Sequence, residues 1–276
     1  MWYIIAAIIL VILIVLTTVK WKKTDRYLIT SFNTDEMKLL VYESDDGAVF
    51  HKKNVRYFPR LGNKTVRDPS YIKVGGEYYI VYTVIDWGTG HEIGMCKTKD
   101  FYSYEELPHI SVGEFNKVWA PTFYVENNKI YIIANAAYED ERFASYIMEY
   151  DIKSNTVSEP VKLKGLPSNV IDTEIYKINE QYYLFYKNED TKYVEVAVCS
   201  ELLGEYKVIG SDDWAGWGNG LEGPCLVQKS DGKYLLYLDN YEEHQIYITE
   251  SEDLKKWSDK KPISIRNIAH LCSKTI

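Results

Sequence analysis

The sequence is poor in the residues that most small cofactor sites need. It has four cysteines and five histidines in 276 residues. Cys96, Cys199, Cys225 and Cys272 are far apart and form no CxxC pair. His91, His109 and His244 are isolated and lack zinc-ligand spacing. Each cysteine lies in an apolar, strand-like run, where a free thiol behaves as a small hydrophobe. Glycine-rich phosphate loops and nucleotide fingerprints are missing. Basic charge is also scarce: 32 Lys+Arg stand against 40 Asp+Glu, for a net charge of −8. Without the first 24 residues the remainder is at about −11, a poor match for nucleic acid. Nor does any convincing amphipathic helix follow residue 24.

One long apolar run is present. Trp2 to Val19 is 18 residues without a charge, followed by Lys20, Lys22 and Lys23. That length just suffices to cross a bilayer core. Trp2, Tyr3 and Trp21 sit where interfacial aromatics belong. The run has no basic segment before it and no small-residue cleavage site after it, so residues 1–24 are expected to be an uncleaved membrane anchor. The following lysines favour a cytosolic domain by the positive-inside rule.

The rest, 25–276, reads as strands. Tyr78–Thr83, Ile130–Ile133, Tyr182–Tyr186 and Tyr234–Leu238 are β-branched and aromatic, and each follows a turn signal such as Gly75-Gly76 or Asp231-Gly232. They belong to a longer repeat. Asp68-Pro69-Ser70, Ala120-Pro121-Thr122, Asp172-Thr173-Glu174 and Gly223-Pro224-Cys225 recur at steps of 52, 52 and 51 residues. A period near 50 with several strands per unit marks a β-propeller. Four units leave two orphans: a last strand near His270, and early strands in 25–53. The C-terminal strand is expected to be the inner strand of a fifth blade whose outer strands come from the N-terminus. The predicted fold is therefore all-β: a five-bladed β-propeller preceded by one N-terminal transmembrane helix.

Inner strands line a propeller's axis, so residues at their starts converge. Asp68, Asp172 and Glu222 hold that position, with Glu222 one residue early in its unit; the second blade offers Ala120 and the fifth His270. Like charges repel and lose solvation there, so stability does not call for them. Paired carboxylates suit glycoside hydrolysis, where one protonates the leaving oxygen and one activates water.

Val66-Arg67-Asp68-Pro69-Ser70, Val118-Trp119-Ala120-Pro121, Val170-Ile171-Asp172 and Leu221-Glu222-Gly223-Pro224 resemble motifs of glycoside hydrolase family 43 over residues 27–276. The resemblance implies an inverting enzyme acting on arabinosyl or xylosyl linkages of an oligo- or polysaccharide. Such a function favours an extracytoplasmic domain, against the lysines after the span. The resemblance implies that Asp68 is the general base, Asp172 the carboxylate that tunes and orients the acid, and Glu222 the acid. It implies that His270 is an axial histidine, near a channel-bound calcium or water cluster in some members; no cofactor is required. Thr122, Thr173 and Leu271 depart from the usual residues. Asp172 is expected to push the Glu222 pKa up. Trp119 and Trp87 are candidate sugar platforms and Arg67 a candidate substrate contact or carboxylate orienter. Trp214 and Trp217, just before Glu222, could be platforms or packing. The alternative reading is a carbohydrate-binding propeller without turnover, or an accessory protein of glycan synthesis.

Overall fold

The computed structural model describes residues 25–33, 35–84, 91–139, 141–266 and 268–275, with side chains to Cys272. The anchor expected at 1–24 and the platform expected at Trp87 lie outside the described residues. Among the described residues no helix is long and apolar enough to cross a membrane.

The described residues form twenty-one strands in five antiparallel sheets. β1 (Tyr27–Asn33), β2 (Leu39–Ser44) and β3 (His51–Lys52) open the chain. The first complete blade is β4 (Arg67–Val74), β5 (Glu77–Thr83), β6 (Glu92–Thr98) and β7 (Tyr104–Ser111). The second is β8 (Lys117–Glu126), β9 (Lys129–Ala137), β10 (Ala144–Asp151) and the short β11 (Thr156–Val157) and β12 (Val161–Lys162), which both pair with β10. The third runs β13 (Val170–Ile178), β14 (Gln181–Asn188), β15 (Val194–Cys199) and β16 (Lys207–Gly210). The fourth runs β17 (Leu221–Gln228), β18 (Tyr234–Asn240), β19 (Gln245–Ser251) and β20 (Lys261–Arg266). β21 (Ile268–Thr275) then pairs with β1, giving a last blade ordered β21-β1-β2-β3. Both ends of the domain thus build one sheet, as the split repeat predicts. The inner strands β4, β8, β13, β17 and β21 adjoin in a closed ring.

The strands read as continuous apolar runs because both faces of each blade are covered. Five separate cores fill the five inter-blade gaps. Successive side chains of one strand point to opposite gaps. Tyr27 and Ile29 pack toward the fourth blade, whereas Leu28 packs toward the first. The same alternation recurs next door, where Ile80 and Tyr82 face the last blade and Val81 the second. Of the cysteines, Cys96, Cys225 and Cys272 are buried free thiols and Cys199 is half-buried.

Closure by β21 leaves no inner edge open. Deleting residues 267–276 should bare β1 and two apolar gaps. The truncated domain is expected to aggregate or to melt far below the parent in a thermal scan. An unchanged melting temperature would refute this account of closure.

Candidate active site

Each inner strand carries a break in its ladder near its start. Register shifts fall between Arg67 and Ser70, Trp119 and Thr122, Ile171 and Glu174, and Glu222 and Cys225, and between Thr30 and Phe32 opposite β21. At each break one residue turns left-handed: Asp68 (φ 48°), Ala120 (46°), Asp172 (56°), Gly223 (55°) and His270 (44°). Such a conformation is costly for residues other than glycine and persists only where surroundings enforce it. A bulge re-aims its side chain and releases an N–H from the ladder. Neighbouring blades take up the released donors. The Ala120 N–H donates to Thr83 Oγ1 at 2.8 Å, Gly223 to Asp172 Oδ2 at 3.0 Å and His270 to Asp239 Oδ2 at 3.1 Å.

Glycine at 223 explains the one-residue offset of Glu222. A Cβ at 223 would lie 3.2 Å from the His270 ring. The bulged position is filled by the imidazole, and the carboxylate comes from the residue before.

The re-aimed groups meet around His270. Its Nδ1 lies 3.1 Å from Asp68 Oδ1, and its Nε2 lies 3.5 Å from Asp172 Oδ2 and 3.2 Å from Glu222 Oε1. Asp68 and Glu222 therefore stand at different nitrogens of one ring. A cavity of about 30 Å³ beside them, lined by Asp68, Ala120, Asp172, Gly223 and His270, has room for one or two waters. A larger cavity of about 550 Å³ occupies the other end of the channel, near Glu126, Ile178 and Gln228. Among its lining residues Lys177 and Glu126 are bound to each other at 3.0 Å.

Two members of the cluster are not anticipated from sequence. Lys187, on β14, places Nζ 2.6 Å from Glu222 Oε2 and 2.8 Å from Glu189 Oε1. Asp239, on β18, faces Glu222 across the β17–β18 ladder. Neither falls at the repeat phase of the inner strands. They share a second-strand phase with Thr83 and Asn135, at steps of 52 residues, and that recurring polar position is the signal that could have found them.

Burial and charge act in opposition here. Burial alone would lower the His270 pKa, but Asp172, Asp68 and Glu222 raise it well above its ordinary value, so the ring is an imidazolium. Burial, with Glu222 and Asp68 adding to it, lifts Asp172 to about 6 against the pull of His270. Burial carries Asp239 to about 7. Glu222 behaves otherwise. Burial raises it, but the His270 hydrogen bond and charge and the Lys187 charge outweigh that and bring it to about 2. This corrects the expectation that Asp172 pushes the Glu222 pKa up: the two cations decide it.

The remaining candidates separate. Arg67 orients no carboxylate among the described residues; its guanidinium lies 5.5 Å from the Phe32 ring centre, and its buried Nε has no hydrogen-bond partner. Trp119 is half-buried and stacks on Phe143 at 4.5 Å between ring centres, within its own blade. Trp214, Trp217 and Trp257 form an edge-on cluster, so the loop before Glu222 uses its tryptophans for packing. Thr122 and Thr173 work together: Thr122 Oγ1 donates to the Thr173 carbonyl, and the Thr173 N–H donates to Asn135 Oδ1. A proline at 173 could not make the second bond.

A family model for a glycosyl hydrolase domain related to glycoside hydrolase family 43 matches residues 23–270. The chain belongs to this family. Solved relatives share the propeller. A family 43 enzyme from Xanthomonas citri, in complex with xylose, is 18% identical over 70% of this chain and 72% of its own, with a TM-score of 0.56. An endo-arabinase from Bacteroides thetaiotaomicron is 18% identical over 75% and 84%, at 0.59. A family 43 protein from Bacillus licheniformis is 13% identical over 90% of this chain but 54% of its own, at 0.64. At such identities the likeness is one of fold. No curated protein matches by sequence.

The cluster suits calcium poorly. Asp172, Glu222 and His270 bring ligand-type atoms within 4.8 Å of one another. Calcium takes 6–8 oxygens. Here both ring nitrogens already face carboxylates, and Lys187 holds Glu222.

The raised carboxyls link stability to pH. Asp172 and Asp239 hold protons in the fold up to about 6 and 7, whereas in the unfolded chain they release them near the ordinary value of 3.8. Between those limits the fold binds more protons, so their contribution is present below about 4 and is lost as pH rises through 6 and 7. The melting temperature should fall across this window, and Asp239→Asn should flatten the fall. A melting profile unchanged by Asp239→Asn would contradict the assignment.

Proposed function

We propose that this domain is an inverting glycosidase for arabinosyl or xylosyl linkages in a glycan. The observation that carries the reading is the placement of Asp68 and Glu222 at different nitrogens of the His270 ring. An imidazole and two polar contacts between the carboxyls suit the roughly 6.5–9.5 Å of an inverting pair better than the about 5–5.5 Å of a retaining one. Relatives of known fold include an enzyme solved with xylose and an endo-arabinase, which supports the pentose class.

In this reading Asp68 takes a proton from water as that water attacks the anomeric carbon. Glu222 gives a proton to the departing oxygen. Asp172 holds Gly223 N–H and, through it, the strand that carries Glu222. His270 holds all three carboxylates in place by its charge. Because Glu222 must gain its proton against His270 and Lys187, turnover should strengthen toward acid pH. A calcium ion in the channel is not part of this proposal. Attachment to a membrane through residues 2–19, with the domain outside the cytoplasm, goes with it because polymeric glycans lie there.

Leaving-group dependence tests the roles. A nitrophenolate departs without a proton and a sugar alkoxide does not. Glu222→Ala should cost about 10²–10⁴-fold on a natural oligosaccharide and far less on an aryl glycoside. Asp68→Ala should slow both substrates alike. Equal losses for Glu222→Ala would remove it from the acid's role. A wild-type domain that binds glycans but hydrolyses none would favour the binding propeller.

A further inference from the structure

Glu222 is gripped from one side by a residue of the second strands, outside the inner-strand motifs. Lys187 projects from β14, opposite Ile171 in the β13–β14 register, and so stands one strand behind Asp172. Its side chain is only 5% exposed. The ammonium bonds Glu222 Oε2 at 2.6 Å and Glu189 Oε1 at 2.8 Å, and the Tyr241 ring centre lies 4.4 Å from it. A buried ammonium is costly unless paired and covered, and here it is both. Glu189 is itself shared with Lys192 at 2.6 Å. A single alkylammonium is therefore locked between a carboxylate at the rim and the carboxyl read above as the acid.

We propose that Lys187 is a positioning residue that fixes the Glu222 carboxyl and sets the acidity at which that carboxyl takes up its proton. The inference rests on the reading of Glu222 as the acid. The two Glu222 oxygens have separate partners. Oε2 takes Lys187, leaving Oε1 with His270. A proton for a leaving oxygen must displace one of these bonds. Every packed element contributes a charge facing Glu222: His270 from β21, Asp172 from β13, Asp239 from β18 and Lys187 from β14. Glu189 stands behind Lys187, and Asp68 of β4 stands beyond the imidazole. The carboxylates favour a proton on Glu222 and the two cations oppose it. His270 is shared among three carboxylates, whereas Lys187 acts on Glu222 from the other oxygen. Removing the ammonium should therefore move the balance toward the protonated acid. A purely structural ion pair would shift that titration too, but its loss would slow natural and aryl glycosides alike.

The test reads the carboxyl directly and does not depend on turnover. The folded protein is labelled with ¹³C at glutamate side chains, and Glu222 is assigned by its loss in Glu222→Gln. In the wild type the Glu222 signal should remain that of a carboxylate down to about pH 4, below which an ordinary glutamate gains its proton. In Lys187→Met its midpoint should rise by at least a tenfold change in proton concentration. The basic limb of the pH–rate profile on a natural glycoside should move upward with it, while kcat on that substrate falls more than on an aryl glycoside. Lys187→Gln keeps a hydrogen-bond donor without charge and should show the same rise, which covers the case that the methionine variant does not fold. A wild-type Glu222 that titrates at or above an ordinary glutamate overturns the proposal. So does an unchanged midpoint in a folded, charge-free variant. If the midpoint shifts but no glycoside is hydrolysed, the positioning stands and the acid role falls.

Discussion

A left-handed residue near the start of every inner strand is the constraint on which the molecule turns. It frees N–H groups from the ladder and, where the residue is not glycine, throws its side chain toward the axis. The donors freed by Ala120, Gly223 and His270 are bound by groups of the preceding blade, so these bulges also knit blade to blade. The same local strain that assembles the carboxyls thus couples the sheets that carry them. Strain of this kind is tolerated where surrounding structure over-determines it. The five packed gaps supply that surrounding structure.

The electrostatic problem created at the axis is solved with protein groups. Asp68, Asp172, Glu222 and Asp239 converge in a buried space, and His270 and Lys187 are the cations that face them among the described residues. Four potential negative charges exceed two positive ones. The excess is relieved by the raised proton affinity of Asp172 and Asp239. Glu222, the carboxyl with both cations on it, is shifted the other way and held ionised. Acid and anion are sorted by who touches whom, with burial common to Asp172, Glu222 and Asp239.

Much of this is legible in the sequence because a propeller repeats its geometry. The Asp68, Ala120, Asp172 and Gly223 phase locates the bulges, and the incomplete units at 25–53 and near His270 foretell the shared last blade. The inner carboxyls come with the phase. Lys187 and Asp239 follow a phase of their own, Thr83, Asn135, Lys187 and Asp239 at steps of 52, which closes the aromatic and aliphatic runs of the second strands and is easily passed over. A charge there is meaningful only once the neighbouring blade is known to reach it. Tryptophans are ambiguous in sequence for a related reason: an aromatic face suits a sugar and a neighbouring ring equally, and Trp217 and Trp119 meet rings. The acidity of Glu222 is misread from sequence because one neighbour, Asp172, is visible in the motif and the opposing Lys187 is not.

The chain enters the propeller at the end remote from the carboxyls. β1 runs antiparallel to β21, so Tyr27 lies beside Thr275, far along the strand from His270. Asp25 fastens this entry by accepting bonds from Ser230, in the turn between β17 and β18. The described chain therefore begins and ends on the face opposite the carboxyls, which leaves the front of the channel clear of both terminal strand ends.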